Sequence, residues 1–170
     1  LRGGLAPRLL LQQWEAKKTI GTVPSFNGAG VAVFLDPVAN VGYVRTDRIG
    51  CAPIFATVGY GPLVIGTHPD SIAATLESLG RPSLIDDLTM AEFVRTGAAT
   101  HPYTYYRDVM QLDAAGLYKF DLSGSAKTMK HLQTYWLPAI LQGKDPASRG
   151  EFVEALTHGL RKAGQLRSSV

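Results

Sequence analysis

Charge and turn chemistry concentrate in one stretch, Val44-Arg45-Thr46-Asp47-Arg48-Ile49-Gly50-Cys51-Ala52-Pro53-Ile54-Phe55. Asp47 and Arg48 fall where a strand-like run ends, and ionised groups at such a place are buried only when paired and hydrogen-bonded. The pattern predicts a fixed Asp47–Arg48 ion pair bracing a turn, with Arg45 as a second cation and Gly50 and Pro53 as the turn residues. Cys51 is the single thiol of the chain. With no His adjacent in the strand pattern, it reads as a buried structural cysteine rather than a nucleophile.

Other reactive residue types have plainer readings. Thr22 follows Gly21, as in an autoprocessing step that frees a Thr terminus, but it comes after a helix instead of opening a strand and reads as a loop residue. His68 and Asp70 have the types of an acid–base pair. Before an apolar helix, His-Pro-Asp is better explained as a cap with Asp70 near the helix amino terminus. His101 precedes Pro102 and reads as a loop residue. Tyr103, Tyr105, Tyr106, Tyr135 and Trp136 lack an interleaved basic stripe, so they predict packing and not a base-stacking surface. Gly59-Tyr60-Gly61 is a hairpin turn, because neither a helix start nor a Lys follows as a phosphate loop would need.

These residues are positioned by short elements. Leu5, Leu9, Leu10, Leu11 and Trp14 recur at helical spacing and predict a helix over 6–18. Strands are expected over 30–35 and 41–46, separated by the turn residues Asp36, Pro37 and Asn40, and a further hairpin over 54–65. Helices then start at Pro69-Asp70, ending at Gly80, and at Asp86 or Asp87, ending at Gly97. Val109–Leu112 and Leu117–Asp121 predict a last hairpin turning at Asp113–Gly116. Helices follow antiparallel strands here without alternating with them, so the fold class is α+β. A polar break at 143–148 precedes a helix whose face carries Phe152, Leu156, Leu160 and Ala163. This puts a domain boundary there, with 1–142 as one domain and 143–170 as a linker and the first helix of a further one.

Length and composition set the bounds. A chain of 170 residues has room for a real core, and 45% apolar and 18% charged residues are ordinary for a folded protein. The formal charge of +3 comes partly from Arg161, Lys162 and Arg167 near the carboxy terminus, which read as a solvated helix face, so no nucleic-acid surface is required. A lone Cys excludes an internal disulfide, and no Cys or His pairs stand at zinc spacing, so no metal and a cytoplasmic location are expected. No run approaches the roughly twenty apolar residues of a membrane span. A chain opening on Leu1 and stopping at Ser169-Val170 is expected to be a piece of a longer polypeptide.

The order of motifs resembles the amino-terminal glutaminase half of the class B asparagine synthetase family, and the related β-lactam and lasso-peptide synthetases. Gly30 to Asp36 stand for the family's G-x-F-A-x-x-L-x-D strand. Asp47-Arg48-Ile49-Gly50-Cys51-Ala52-Pro53-Ile54-Phe55 stands for its R-D-R-[LF]-G-x-x-P-L-[YF] turn, with Thr46 where many members have Arg. Gly66-Thr67-His68-Pro69-Asp70, Leu88 to Phe93, Tyr103 to Arg107 with Leu112, Gly116 and Tyr118, and Tyr135-Trp136-Leu137-Pro138 resemble later family segments. Phe152 to Arg167 resembles the helix that opens the synthetase half, just before its S-G-G-x-D-S pyrophosphate loop.

The resemblance implies an amino-terminal-nucleophile hydrolase sandwich of antiparallel sheets with flanking helices, incomplete at its amino terminus. It implies a parent glutamine-hydrolysing ligase of asparagine biosynthesis that uses glutamine, with ATP and Mg in its synthetase domain, and a synthetase domain or subunit as partner, with assembly as a homodimer. The family's glutaminase uses an amino-terminal Cys whose own amine is the general base. Leu1 has no nucleophile, and the family's glutamine-holding residues precede the helix at 6–18, so no catalytic residue carries over. The expected function is a fragment of the ligase, inactive alone; the alternative is a degenerate, non-catalytic glutaminase module that supports a synthetase domain.

Overall fold

The computed structural model describes residues 29–59, 61–123, 129–137 and 148–168, together with Arg8, Leu11, Gln12 and Glu15, with nothing said of the side chains of residues 163 and 166–168. Arg8, Leu11, Gln12 and Glu15 are helical. The rest of the helix expected over 6–18, Leu1, Thr22, Tyr60, Pro138, residues 143–147 of the polar break and the Ala163 side chain lie outside the described residues. The chain divides into two compact units, Ile20–Trp136 and a second made of Leu1–Thr19 with Leu137–Val170.

The larger unit is α+β and holds two antiparallel sheets. The first contains β1 (Ala32–Asp36), β2 (Val41–Arg45), β6 (Gly116–Asp121) and β7 (Met129–Thr134), in the order β1-β2-β6-β7. The second contains β3 (Phe55–Thr57), β4 (Ile65–Gly66) and β5 (Val109–Gln111), in the order β4-β3-β5. The β1–β2 turn is local chemistry: Asp36 Oδ1 accepts the N–H groups of Val38 at 3.1 Å and Ala39 at 2.9 Å, and Asn40 takes a left-handed φ of 54°. Thr57 organises the β3–β4 connection, donating to Pro62 O at 2.9 Å and accepting from Val64 N at 3.0 Å.

Directly paired residues share a face, so the register places Val44 with Tyr118 and Gly42 with Phe120 on one side of the first sheet. Val44, Tyr118 and Phe120 form a core against Leu63, Ile65, Leu112 and Met129. Gly42 has no side chain because the Phe120 ring lies where its Cβ would be. The next residue after Leu63 points the other way, and Val64 packs instead with Phe55 and Val109 against helix α1 (Pro69–Ser78). Ile72 and Leu76 of that helix are each 1% exposed. Burying each contributes about 1.5–3 kcal/mol.

Helix α1 starts with Pro69 at its first turn, where a missing N–H costs nothing, and ends before Gly80 at φ 73°. Its N-cap is His68, whose side chain makes no capping bond, while Asp70 sits in the first turn. Helix α2 (Asp87–Thr96) is capped by Asp86, which accepts from Leu88 N and Thr89 N, and closes on left-handed Gly97. In the smaller unit, helix α3 (Arg149–Ser168) opens on a reciprocal cap: Glu151 Oε2 accepts from Ser148 N at 2.9 Å and Ser148 Oγ from Glu151 N at 3.5 Å. Its Phe152, Leu156 and Leu160 are 57%, 52% and 65% exposed. No helix among the described residues is long and apolar enough to cross a membrane.

Two elements differ from expectation. Val109–Gln111 and Gly116–Asp121 are not a hairpin: β5 pairs with β3 and β6 with β2, so residues 112–115 carry the chain from one sheet to the other. Left-handed Ala115 at φ 52° turns the crossover, and its hydrogen bonds go to residues outside the expected hairpin. Strand β7, whose Met129-Lys130-His131-Leu132-Gln133-Thr134 is largely exposed, carries too weak an alternation to be read in advance.

Candidate functional site

Asp47 lies just past the end of β2, 1% exposed. Its carboxylate accepts four backbone N–H groups. Oδ1 takes Ile49 at 3.1 Å and Cys51 at 2.9 Å; Oδ2 takes Ala52 at 2.9 Å and Gly30 at 3.3 Å. Burial alone would raise this carboxyl, but the N–H groups of Ala52, Cys51, Gly30 and Ile49 outweigh it and hold it below the usual carboxylate range. In place of the expected Asp47–Arg48 ion pair, the bonds described for the carboxylate are to main-chain N–H groups, three from the loop it encloses and one from Gly30 ahead of β1. Gly50, at φ 70°, is the residue that lets this loop close, and Pro53 follows it on the wall of a cavity.

The same loop turns Cys51 outward. The expected burial of Cys51 is overturned, for its side chain is exposed although its N–H is held by Asp47. Among the described residues no base is hydrogen-bonded to the thiol. Arg45 is buried and lies over the Tyr135 ring, its guanidinium carbon 4.2 Å from the centroid. Burial lowers its pKa and the adjoining Tyr135 opposes this.

Residue 46 proves to be a hub. Buried Thr46 donates through Oγ1 to Asp113 O at 2.7 Å and accepts from Gly116 N at 2.8 Å, while its own N–H reaches Gly116 O at 3.0 Å. Tyr135 Oη donates to Thr46 O at 2.6 Å, and Ala115 N to Asp47 O at 2.7 Å. The turn after β2, the crossover at 112–115 and the end of β7 are thus joined through hydrogen bonds that no local spacing announces.

The crossover also presents Asp113, which carries the side-chain cluster that sequence reasoning missed. His101 Nε2 lies 2.8 Å from Asp113 Oδ1, and Tyr118 Oη donates to Asp113 Oδ2 at 3.0 Å while accepting Asp113 N at 2.8 Å. The His131 ring packs on Tyr118, centroids 4.9 Å apart. The hydrogen bond to His101 holds the Asp113 carboxyl below its usual range; partial burial opposes this, and the Tyr118 hydroxyl and the His131 charge add to it. Burial, with the Asp113 charge, pushes the Tyr118 hydroxyl well above the usual phenol range.

A cavity of about 460 Å³ lies between the two features, with Thr46, Ile49, Gly50 and Pro53 on one wall and His101, Gln111 and Asp113 on the other. The structure thus brings the sequence-flagged turn together with the unforeseen dyad. A second cavity of about 320 Å³, lined by Pro102, Met110, Gln111, Asp113, Tyr118 and His131, adjoins the other side of Asp113. A carboxylate-held imidazole can accept a proton, but among the described residues neither a thiol nor a hydroxyl is hydrogen-bonded to His101 as a nucleophile would be.

The remaining sequence candidates have separate places. Asp70 accepts from Tyr106 Oη at 2.9 Å, and His68 Nδ1 lies 3.0 Å from Thr67 Oγ1, so the two do not act on each other as acid and base. Tyr105 packs against Phe93 and Tyr106, while Tyr103 is 52% exposed. Among the described residues no group of three or more His, Cys, Asp or Glu is arranged to hold a metal ion. The chain matches no family model, no curated protein and no solved structure.

Proposed function

We propose that this chain is the glutaminase-like scaffold of an asparagine synthetase-like, ATP-dependent amide-forming ligase, built on an amino-terminal-nucleophile-hydrolase-type sandwich and inactive by itself. The observation that carries the reading is the Asp47 loop: in Asp47-Arg48-Ile49-Gly50-Cys51-Ala52-Pro53 a buried carboxylate encloses its own turn between two antiparallel sheets. This gives the Asp and Gly of the turn signature a structural role. Glutamine hydrolysis needs a nucleophile and a base within hydrogen-bonding reach, and no such pair is assembled among the described residues.

The reading leaves ATP and Mg to the proposed synthetase domain. Helix α1 opens on His68-Pro69, where Pro removes an N–H that a phosphate would use, and the described carboxylates form no cation cluster. No step is routed through either. A second reading, a non-catalytic module that docks a separate synthetase domain, is favoured by the exposed row Phe152, Leu156 and Leu160 on α3.

Two measurements test the reading. Ammonia release from L-glutamine by the isolated chain is expected to be nil, and any labelling of the exposed Cys51 by an electrophilic glutamine analogue is expected to be no faster than by a simple alkylating agent and unaffected by L-glutamine; turnover, or labelling that L-glutamine blocks, overturns it. Sequencing the flanking reading frame is expected to give a Met-Cys opening upstream and a Ser-Gly-Gly-x-Asp-Ser loop downstream. Flanks that encode neither motif, with no synthetase gene alongside, overturn the ligase assignment.

A further inference from the structure

We propose that Met110, Met129 and His131 form a binding site for a soft monovalent cation, copper in its Cu(I) state. The inference is independent of the glutaminase reading and rests on strand register, since directly paired residues share a face. Met110 on β5 is paired with Ala56, and Ala56 with Ile65, which packs on the Val44–Tyr118–Phe120 core; Met110 therefore lies on the inner face of the second sheet. Met129 and His131 on β7 are paired with Phe120 and Tyr118, and so lie on the inner face of the first. The two sheets bring two thioethers and an imidazole to the gap between them at their outer strands β5 and β7, and all three side chains line the cavity of about 320 Å³ there. Two of the three methionines of the chain stand at this one cavity.

The donor set selects the ion. Mg and Ca take oxygen ligands, and zinc sites are built from thiolate, imidazole and carboxylate. Soft thioethers select Cu(I), and imidazole suits copper as well. A filled d shell imposes no geometry of its own, so donors carried on two sheets need not meet a fixed polyhedron. Charge points the same way: among the described residues lining this cavity Asp113 is the only one of type Asp, Glu, Lys or Arg, so the cavity favours a cation, and its single carboxylate balances a single positive charge. Met110 and Met129 are half-buried and His131 is exposed, which leaves the donors within reach of an ion from solvent. The His131 ring packs on Tyr118, centroids 4.9 Å apart, and this contact limits its orientation. Gap filling, the other use of methionine in a core, predicts no ion affinity.

Anaerobic Cu(I) titration of the full chain carrying Cys51→Ser, against the chromophoric Cu(I) chelator bicinchoninate, tests the site; the substitution removes the exposed thiol, which would take the same ion. One equivalent is expected to bind, with Ag(I) displacing it and excess Zn(II) or Mg(II) leaving it in place. Met110→Leu and Met129→Leu nearly conserve volume, and each is expected to weaken binding at least about tenfold, because losing even an outer partner of a metal ligand costs about 10–100-fold. His131→Gln is expected to weaken it likewise, whereas Met90→Leu, on α2 and outside the cavity, leaves it unchanged. In spectra of the Cys51→Ser chain labelled with 13C-methyl methionine, Ag(I) is expected to shift the Met110 and Met129 signals and to leave that of Met90, which Met90→Leu assigns. The absence of Cu(I) binding, or binding that keeps its strength in both the Met110→Leu and Met129→Leu variants, overturns the proposal. Should either variant not fold, the methyl spectra decide it, since the site is overturned if the Met110 and Met129 signals stay where they are.

Discussion

The hydroxyl of Thr46 donates to the carbonyl of Asp113 at 2.7 Å across sixty-seven residues of chain. Through this bond the turn after β2 and the crossover between the sheets become one piece, with the Asp47 loop on one side and the His101–Asp113 dyad on the other. Thr46→Val keeps the shape and removes the hydroxyl, leaving the buried N–H of Gly116 without its side-chain acceptor. A loss of about 1–3 kcal/mol is expected by urea denaturation, with Thr46→Ser losing less. Equal stability of the Val variant would show that the hub is not needed.

Asp47→Ala strips the acceptor from four backbone N–H groups at a position that is 1% exposed. The expected cost is about 3–5 kcal/mol, with Asp47→Asn intermediate because one oxygen survives. Melting temperature reads it, and an unchanged melt would remove the loop from the list of what holds this fold.

Gly42→Ala puts a methyl group into the Phe120 ring across the β2–β6 pair. Overpacking of this kind costs about 1–3 kcal/mol, and Phe120→Leu in the same chain is expected to return part of it. Additive losses in the double-mutant cycle would mean that the ring is not what excludes a side chain at 42.

The acid limb of stability follows from Asp47 and Asp113, both held below the usual carboxylate range. A depressed carboxyl contributes stability that is present above its ordinary pKa, near 3.8, and is lost as the pH falls through the lower folded value. Asp113→Asn is expected to flatten part of this limb between about pH 5 and 2. Tyr118 acts at the other end: its raised pKa gives stability that is full below about pH 10 and declines as the pH rises further. Tyr118→Phe is expected to flatten that decline, measured as midpoint denaturant concentration against pH.

Cys51 is exposed, so an aromatic disulfide reagent is expected to titrate one thiol promptly under native conditions, without a cooperative unfolding step. Reaction that waits for denaturant would restore the buried reading.

Much of this protein was legible in the chain itself. The caps of α2 at Asp86 and Gly97, the Pro69 start and Gly80 end of α1, and the Asp36–Asn40 turn are bonds among near neighbours, so the residues that make them also announce them. The turn built on Asp47 was visible for the same reason, since three of the four N–H groups on Asp47 come from the five residues after it. What only the tertiary structure decided is which strands pair and which distant groups meet. Val109–Gln111 and Gly116–Asp121 look like a hairpin, yet each finds its partner in a different sheet, because burying Val109 against α1 and Tyr118 against Val44 requires opposite layers. His101 and Asp113, twelve residues apart with a strand between them, meet only because that crossover turns back toward the loop after α2. Pairing of this kind depends on the faces of whole elements, and the identity of a single residue does not carry it.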